Sequence, residues 1–382
     1  MALSAADSVA TFDNTKKHLD ISPVLASIIL NDNAFLGLIG MGPAVKGAIH
    51  YFNEDSLNPP TVTINELGGL SVGDTTLTLD DATKIAVGTI LMDMAVGTQE
   101  LLQVTAISGN DCTVTRGYGG TTAETHADDA VFAIVGQPKQ EGDETINDVS
   151  KARTQVTQYC EIFKKTVKVS GTAEAEANNG LHPGIASEVK LQMLRRTDEI
   201  HVEMNRAALN SYLSAAGSDS VYRTLMGLRQ YLNQTGANKT VTAEALSEKV
   251  VNTMYGNCFD DGGKPNALIG AAAQITVFSD FNKSKVRTSP SDRVSGNYVD
   301  RFMTSYGAEL RLVIDRWFKT DEIAMLESGK CRWAPLQGRA LFAEALAKVG
   351  DALRWQIVGE GTLIVENATQ AHAYHTNLTV PA

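Results

Sequence analysis

The residues best suited to chemistry in this chain are its histidines, and they do not gather in a motif. There are seven, of which His372 and His375 lie three positions apart in a predicted strand. Residues three apart in a strand point to opposite faces, whereas strand ligands of one metal ion are usually two apart. The spacing therefore argues against a metal site at these histidines.

Turn residues are the next candidates. Asp74, Asp80 and Asp81 could present carboxylates to calcium, but the ligand spacing of an EF-hand loop is absent, so solvated turns are favoured. The glycine-rich run at 117–120 joins two short predicted strands, which favours a turn over a phosphate cradle. Because HExxH, GxSxG and GxxxxGK(S/T) motifs are also absent, we predict no catalytic centre, cofactor or metal site.

The four cysteines stand far apart and include no CxxC pair. This spacing predicts neither a zinc site nor a dense disulfide framework, and we expect small buried apolar side chains in a reducing cytosol. The four are Cys112, Cys160, Cys258 and Cys331.

The composition is that of a globular protein. The 382 residues are 43% hydrophobic and 20% charged, which predicts two or three domains with a sizeable core. No apolar run approaches the roughly 20 residues of a membrane helix, and residues 1–20 lack the pattern of a secretory signal. We expect a soluble protein made inside the cell, with no membrane partner.

The charge balance is acidic, with 44 acidic against 33 basic residues and a formal net charge of −11. Proteins that grip duplex DNA usually carry an excess of Lys and Arg, so DNA affinity is not the predicted function. Lys164, Lys165 and Lys168 alternate with apolar residues in one predicted strand. The sequence leaves open whether they form a solvated face or a contact for acidic neighbours.

The first half of the chain contains two kinds of strand pattern, a module of short strands and a pair of strands on either side of it. Short alternating runs broken by glycine and aspartate predict a small antiparallel β module over residues 62–135. Residues 157–170 predict one long strand, with residues 47–57 as its partner. The module would then be an insertion at the tip of a long hairpin.

The strongest helical pattern covers residues 183–213, where apolar side chains such as Val189, Ile200 and Met204 recur every three or four positions. This helix would be about 45 Å long, a spine for other elements. After residue 217 the pattern is mixed, with helices predicted at 225–231, 243–255 and 274–281. Strands are predicted at 266–270, 298–304, 310–315, 323–326, 355–358, 362–365 and 371–378.

Five segments, in this order, resemble the major capsid proteins of tailed phages, which share the Hong Kong 97-type fold. The resemblance is to the branch whose hairpin carries an inserted β module, and it covers nearly the whole chain. The segments are YFNEDSL (51–57), TVTRGYGGTTA (113–123), YCEIFKKTVKVSGTAEA (159–175), NYVDRFMTSYGAELRLVIDRWF (297–318) and ALAKVGDALRWQIVGEGTLIVENATQAHAYHTNL (345–378).

The resemblance implies an α+β chain with a long spine helix, an extended β-hairpin and an inserted small all-β domain. The implied parts are an N-terminal arm (1–46), the outgoing strand of the extended loop (47–61), the inserted β domain (62–136), the returning strand (137–175), a peripheral domain with the spine helix (176–216), an axial domain (217–350) and closing strands of the peripheral domain (351–382).

The implied function is that of a structural shell protein, not an enzyme, and it uses no cofactor. Copies would form hexamers and pentamers of an icosahedral head around double-stranded DNA, assembled in the host cytoplasm. Portal and decoration proteins are further implied partners. A cleavable scaffolding segment is expected to be absent because residues 1–20 are too short, so any scaffold would be a separate protein.

Lateral contacts between acidic copies require local basic faces that pair with acidic ones. The candidates are Lys164 and Lys165 on the hairpin, and Arg195, Arg196 and Glu199 on the spine helix. Each exposed pair contributes only about 0–1 kcal/mol, so burial of apolar hairpin and arm surface, at roughly 25 cal/mol per Å², should dominate.

Alternatives from other classes remain. An encapsulin-like nanocompartment shell would share the fold but enclose enzymes. A glycan- or surface-binding protein would act through the 62–135 module and leave the other residues unexplained. An enzyme is the weakest alternative, since no acid, base, nucleophile or metal set converges.

Overall fold

The computed structural model describes residues 33–58, 60–95, 97, 99–139, 141–142, 149–175, 187–215, 221–281 and 301–381. The chain divides into two compact units, Phe52–Val156 and the remainder, Met1–Tyr51 with Thr157–Ala382. We call them the β unit and the body. Residues 1–32 of the predicted N-terminal arm lie outside the described residues.

The described elements mix helices and strands, as the resemblance implies. The helices are α1 (Ala34–Ile39), α2 (Gly171–Ala175), α3 (Glu188–Asn210), α4 (Leu228–Leu232), α5 (Glu248–Asp260) and α6 (Ala272–Phe281). The strands are β1 (Ile49–Glu54), β2 (Thr61–Thr63), β3 (Thr76–Thr78), β4 (Ile90–Asp93), β5 (Leu101–Ser108), β6 (Asp111–Thr115), β7 (Val131–Gly136), β8 (Thr154–Tyr159), β9 (Glu161–Ser170), β10 (Asn238–Glu244), β11 (Ala267–Gly270), β12 (Arg301–Met303), β13 (Glu309–Ile314), β14 (Ile323–Leu326), β15 (Cys331–Pro335), β16 (Phe342–Ala345), β17 (Ala352–Val365) and β18 (Ala373–Leu378).

Helix α3 is the predicted spine, although it is shorter than expected. Its 23 residues give a length of about 35 Å. The Ser187 hydroxyl accepts a hydrogen bond from the Lys190 N–H and caps the first turn. The helix ends at Ser211, which turns to an extended conformation and whose carbonyl accepts from the Gly227 N–H. The predicted start at residue 183 lies outside the described residues.

A four-stranded antiparallel sheet packs against α3. Strand β17 is its centre, paired with β9 on one side and with β15 and β16 on the other. Val167, Val169 and Val189 are buried together between sheet and helix, with Met193 and Trp355 packed around them.

Residues 157–170 are not the single strand that the alternation predicts. Strand β8 pairs with β1, so the predicted partner at 47–57 is correct for this part. Strand β9 pairs instead with β17 along ten residues. The break falls at Cys160, whose N–H donates to the Ala48 carbonyl and whose own carbonyl accepts from the Arg223 guanidinium. The Arg223 side chain therefore binds the backbone at the residue where pairing with β1 ends and pairing with β17 begins.

A six-stranded sheet forms the other part of the body, in the order β10-β18-β14-β11-β13-β12. Helices α5 and α6 pack on it and share one apolar core with its central strands. The helix predicted at 243–255 begins later, at Glu248. Residues 243–244 are the end of β10, and the Ser247 hydroxyl caps α5 by accepting a hydrogen bond from the Val250 N–H.

The sheets do not follow the predicted domain boundary at residue 350. Strands β15 and β16 lie in the sheet against α3, although residues 217–350 were assigned to the axial domain. Strand β18 lies in the six-stranded sheet, although residues 351–382 were assigned to the peripheral domain. The reason is that β17 is one 14-residue strand that takes β15 and β16 as its neighbours.

The β unit is built from β2 to β7, a six-stranded antiparallel sheet in the order β2-β7-β4-β5-β6-β3. Its core consists of alternate side chains that point to one side, as the period-two pattern predicts. They include Ile64, Leu77, Leu91, Leu102 and Phe132, all at most 1% exposed.

Candidate assembly surface

Strand β9 presents the predicted lysines to two different faces of its sheet. Phe163, Val167 and Val169 are buried on the α3 side, while Lys164 lies on the other face and is exposed. Lys165 is on the α3 side, where its Nζ lies 2.7 Å from Glu203 Oε2. Two of the predicted contact residues are therefore neighbours in sequence but not on one surface.

The predicted contact residues of α3 form a local pair. Arg196 Nη1 lies 2.6 Å from each carboxylate oxygen of Glu199, one helical turn on, and Arg195 is half-buried beside it. Exposed pairs of this kind contribute about 0–1 kcal/mol. The structure thus gives Lys165, Arg196 and Glu199 partners within one copy and does not bring the five predicted residues together.

The two-stranded ribbon of β1 and β8 exposes apolar side chains. Ile49 and Tyr51 are 45% and 54% exposed, and Leu57 beyond the strand is 92% exposed. A two-stranded ribbon is marginally stable in water without further packing. These side chains are therefore a surface suited to burial by another molecule.

The β unit contains a buried ionic network that the sequence analysis missed. His126 Nδ1 lies 2.5 Å from Asp93 Oδ2 and its Nε2 lies 2.9 Å from Glu100 Oε2, while Arg116 Nε lies 2.7 Å from Glu100 Oε1. All four side chains are at least 92% buried. His126 thus bridges the carboxyl groups of Asp93 and Glu100 through its two ring nitrogens.

Glu100 is the centre of this network. Burial alone would raise the pKa of Glu100, but hydrogen bonds from Arg116, His126 and the N–H groups of Gly117 and Glu124 outweigh it and lower that pKa to about 2. The network also fixes the glycine-rich run at 117–120, which forms a tight turn with positive φ at Gly117 and Gly119. The run acts as a turn, as the flanking strands predict.

The turn aspartates make local hydrogen bonds. Asp81 Oδ1 accepts from the Thr83 N–H and hydroxyl, and Asp74 Oδ2 accepts from the Ser71 N–H. Among the described residues, no three His, Cys, Asp or Glu side chains are arranged to hold a metal ion.

The two late histidines have separate environments. His372 is fully buried, with Nδ1 accepting from the Glu327 N–H and Nε2 facing the Glu366 carbonyl. Burial lowers the pKa of His372 to about 4, so the ring is neutral at pH 7. His375 Nε2 lies 3.0 Å from Glu244 Oε1.

All four cysteines are free and buried. Burial raises the pKa of the Cys112 and Cys160 thiols to about 11 and that of Cys258 to about 12. Because the thiolate is the reactive form, these thiols are unreactive. In the described part of the chain, no helix has the length and apolar character needed to cross a membrane.

The fold is that of the Hong Kong 97-type capsid proteins. The structure is similar to a capsid chain of cyanophage A-1(L), with a TM-score of 0.53 and 11% identity, covering 97% of this chain and 98% of that one. It is also similar to a capsid chain of a native GTA particle, with a TM-score of 0.50 and 12% identity, covering 100% of both. At such identities the likeness shows the fold alone.

The chain belongs to the SU10 major capsid protein family, whose model matches residues 7–379. It is therefore a phage-type capsid protein that assembles with its own copies into the shell of a virion, and not an enzyme. No curated protein matches the chain in sequence.

The nanocompartment alternative has a structural counterpart. A chain of the holo-SrpI encapsulin complex of Synechococcus elongatus has a TM-score of 0.43 and 12% identity, covering 60% of this chain and 78% of that one. A likeness at this level carries no argument, so the alternative gains nothing from it.

Proposed function

We propose that copies of this chain form the hexamers and pentamers of an icosahedral head that encloses the double-stranded DNA of a tailed phage. The observation that carries the proposal is the family match over residues 7–379. The DNA is enclosed without sequence-specific binding, which agrees with the net charge of −11. Assembly takes place in the host cytoplasm, with a portal and decoration proteins as further partners.

The body supplies the two domains that the fold uses in a capsomer. Helix α3 with the four-stranded sheet forms the peripheral domain, and the six-stranded sheet with α5 and α6 forms the axial domain, which meets its copies at the capsomer centre. The β unit is the domain inserted in the extended loop. The ribbon of β1 and β8 lies across a neighbouring copy.

The exposed ribbon supports this arrangement. Ile49 and Tyr51 alternate along β1 on the same face, and both are about half exposed in one copy. Burial of apolar area is worth roughly 25 cal/mol per Å², so their burial in a neighbour stabilises the shell more than single exposed ion pairs do. Lys164, Lys165, Arg195, Arg196 and Glu199 remain our proposed polar contacts between copies.

Sedimentation velocity of the purified full chain tests the proposal. Wild-type protein should sediment as capsomers or shells. Ile49→Asp with Tyr51→Asp should shift it towards the monomer, because charge on the ribbon prevents its burial. Leu67→Asp with Val72→Asp is the matched control, since it adds the same charge at two exposed apolar side chains outside the ribbon. A wild-type monomer with and without crowding agents and divalent ions would overturn the proposal.

A further inference from the structure

The face of the four-stranded sheet opposite α3 carries three cations. Lys168 on β9 lies directly opposite Arg354 on β17 in the register of the sheet, and Lys164 lies on the same face four residues before Lys168. Directly opposed residues of an antiparallel pair point to the same side. We call Lys164, Lys168 and Arg354 the cationic strip.

The cationic strip has no partner among the described residues of its own copy. Its three side chains make no hydrogen bond or ion pair with the residues that the structure describes, and Arg354 Nε is buried without a hydrogen-bond partner. Like charges directly opposite each other destabilise a sheet, and a buried unpaired donor destabilises it further. Anionic groups of another molecule would therefore supply the ion-pair partners that these three cations lack among the described residues.

Other cations on or near the same strands are paired, which makes the strip unusual. Lys165 binds Glu203, and Arg223 and Arg339 both bind the buried carboxylate of Glu360 on β17. The described part of the chain thus provides carboxylates for neighbouring cations but none for these three.

The acidic side chains that could pair with the strip are concentrated in the β unit. Residues 52–156 hold 16 of the 44 acidic and 5 of the 33 basic residues, so their formal charge is −11. The remaining residues contain 28 of each and are formally neutral. The whole charge excess of the chain therefore lies in the β unit, and each copy brings one β unit for each strip.

We propose that the cationic strip of one copy binds carboxylates on the β unit of a second copy. This inference rests on the proposed shell, in which copies are neighbours in fixed proportion. Packaged DNA also offers anions, but the carboxylates of the β unit accompany every strip at one to one, with or without DNA. Complementary charge of this kind sets the register between partners.

Carbodiimide cross-linking of shells grown from an equal mixture of ¹⁴N- and ¹⁵N-labelled chains tests the inference. The reagent joins a lysine amine to a carboxylate with loss of water and forms an amide. Lys164 or Lys168 should be joined to an Asp or Glu within 52–156, with half of the joined peptides of mixed isotope. The Lys165–Glu203 pair, 2.7 Å apart in one copy, is the internal control and should give no mixed-isotope product.

Lys168→Glu provides a variant whose fold should survive. It replaces a like-charge cross-strand pair with an opposite-charge pair, so the thermal midpoint of the body should be kept or raised. Shell yield should fall by about tenfold or more, because the second copy now meets a carboxylate. Lys239→Glu makes the same charge change at an exposed position of β10 and should leave the yield unchanged.

Each contrary outcome is distinct. If wild-type chains form no shells, the proposed function fails and the inference fails with it. If shells form but the strip lysines give no cross-link, or cross-link only within one copy or to carboxylates outside 52–156, the inference alone is overturned. If Lys168→Glu shells form normally but lose nucleic acid, DNA is the partner of the strip and the inference is also overturned.

Discussion

Four ionisable side chains of the β unit, Asp93, Glu100, Arg116 and His126, meet in its core, whereas the body buries His372 against backbone groups of Glu327 and Glu366. In the β unit, each charge needs the others, because a buried ion without its partner is strongly destabilising. In the body, the buried imidazole is stable only while it is neutral. The comparison teaches that the β unit depends on a buried carboxylate that stays charged and the body on a buried imidazole that stays neutral, and that proton uptake weakens both.

The largest effect should come from Glu100→Gln. The substitution leaves Arg116 and His126 buried without their shared carboxylate, and the unfolding free energy of the β unit should fall by about 3–5 kcal/mol. Hydrogen–deuterium exchange of the full chain should show faster exchange in β4, β5 and β6 and unchanged exchange in the body.

Glu124→Gln is the control for this variant. The Glu124 side chain makes no hydrogen bond to the described residues, although its N–H donates to Glu100. Equal exchange in β5 for both variants would mean that the network does not hold the β unit together.

Acid should weaken the β unit in a window set by Glu100. Its pKa is lowered from 4.5 to about 2 by folding, so its stabilisation is complete above pH 4.5 and is lost as the pH falls towards 2. The lost stability is about 3 kcal/mol. Exchange in β5 followed from pH 5 to pH 2 measures it, and a flat response over this range would contradict it.

The body should weaken at a higher pH. The pKa of His372 is lowered from 6.5 to about 4, so the unfolded chain takes up a proton before the folded body does. Stability is therefore full above pH 6.5 and falls by about 3 kcal/mol towards pH 4.

Tryptophan fluorescence reports this loss selectively, because Trp317, Trp333 and Trp355 all lie in the body and are the three tryptophans of the chain. His372→Asn should flatten the dependence between pH 6.5 and 4. An unchanged slope in this variant would assign the loss to other groups.

The smallest effect should come from an exposed pair of the body. Glu199→Gln removes the partner of Arg196, and the unfolding free energy should change by less than about 1 kcal/mol. Urea denaturation followed by tryptophan fluorescence measures the change. A loss comparable to that of Glu100→Gln would mean that the pair is part of a larger network.

Elements with a strong local period were predictable from sequence. The stripe of Val189, Ile200 and Met204 predicted α3, and the run at 323–326 coincides with β14. Strand β17 was predicted as two pieces because Gly359 and Gly361 interrupt the alternation. In the structure, Met204 and Trp333 occupy the space where side chains at these glycines would lie, and such packing leaves no local signal.

The ionic network was hidden for a related reason. Its members are separated by 7 to 33 positions, so no short sequence motif indicates that they form a network. One signal was present: Asp93 follows Leu91 by two positions and therefore points into the core of the β unit. Only part of the cationic strip was predictable from the sequence. The alternation places Lys164 and Lys168 on one face, but only the strand register of the structure adds Arg354.

Electron cryomicroscopy of particles formed by the purified full chain tests the central claim most directly. The account predicts closed shells with rings of six and five copies and with the ribbon of β1 and β8 buried against a neighbouring copy. Particles in which Ile49 and Tyr51 face solvent in every copy, or monomers as the sole species, would contradict it.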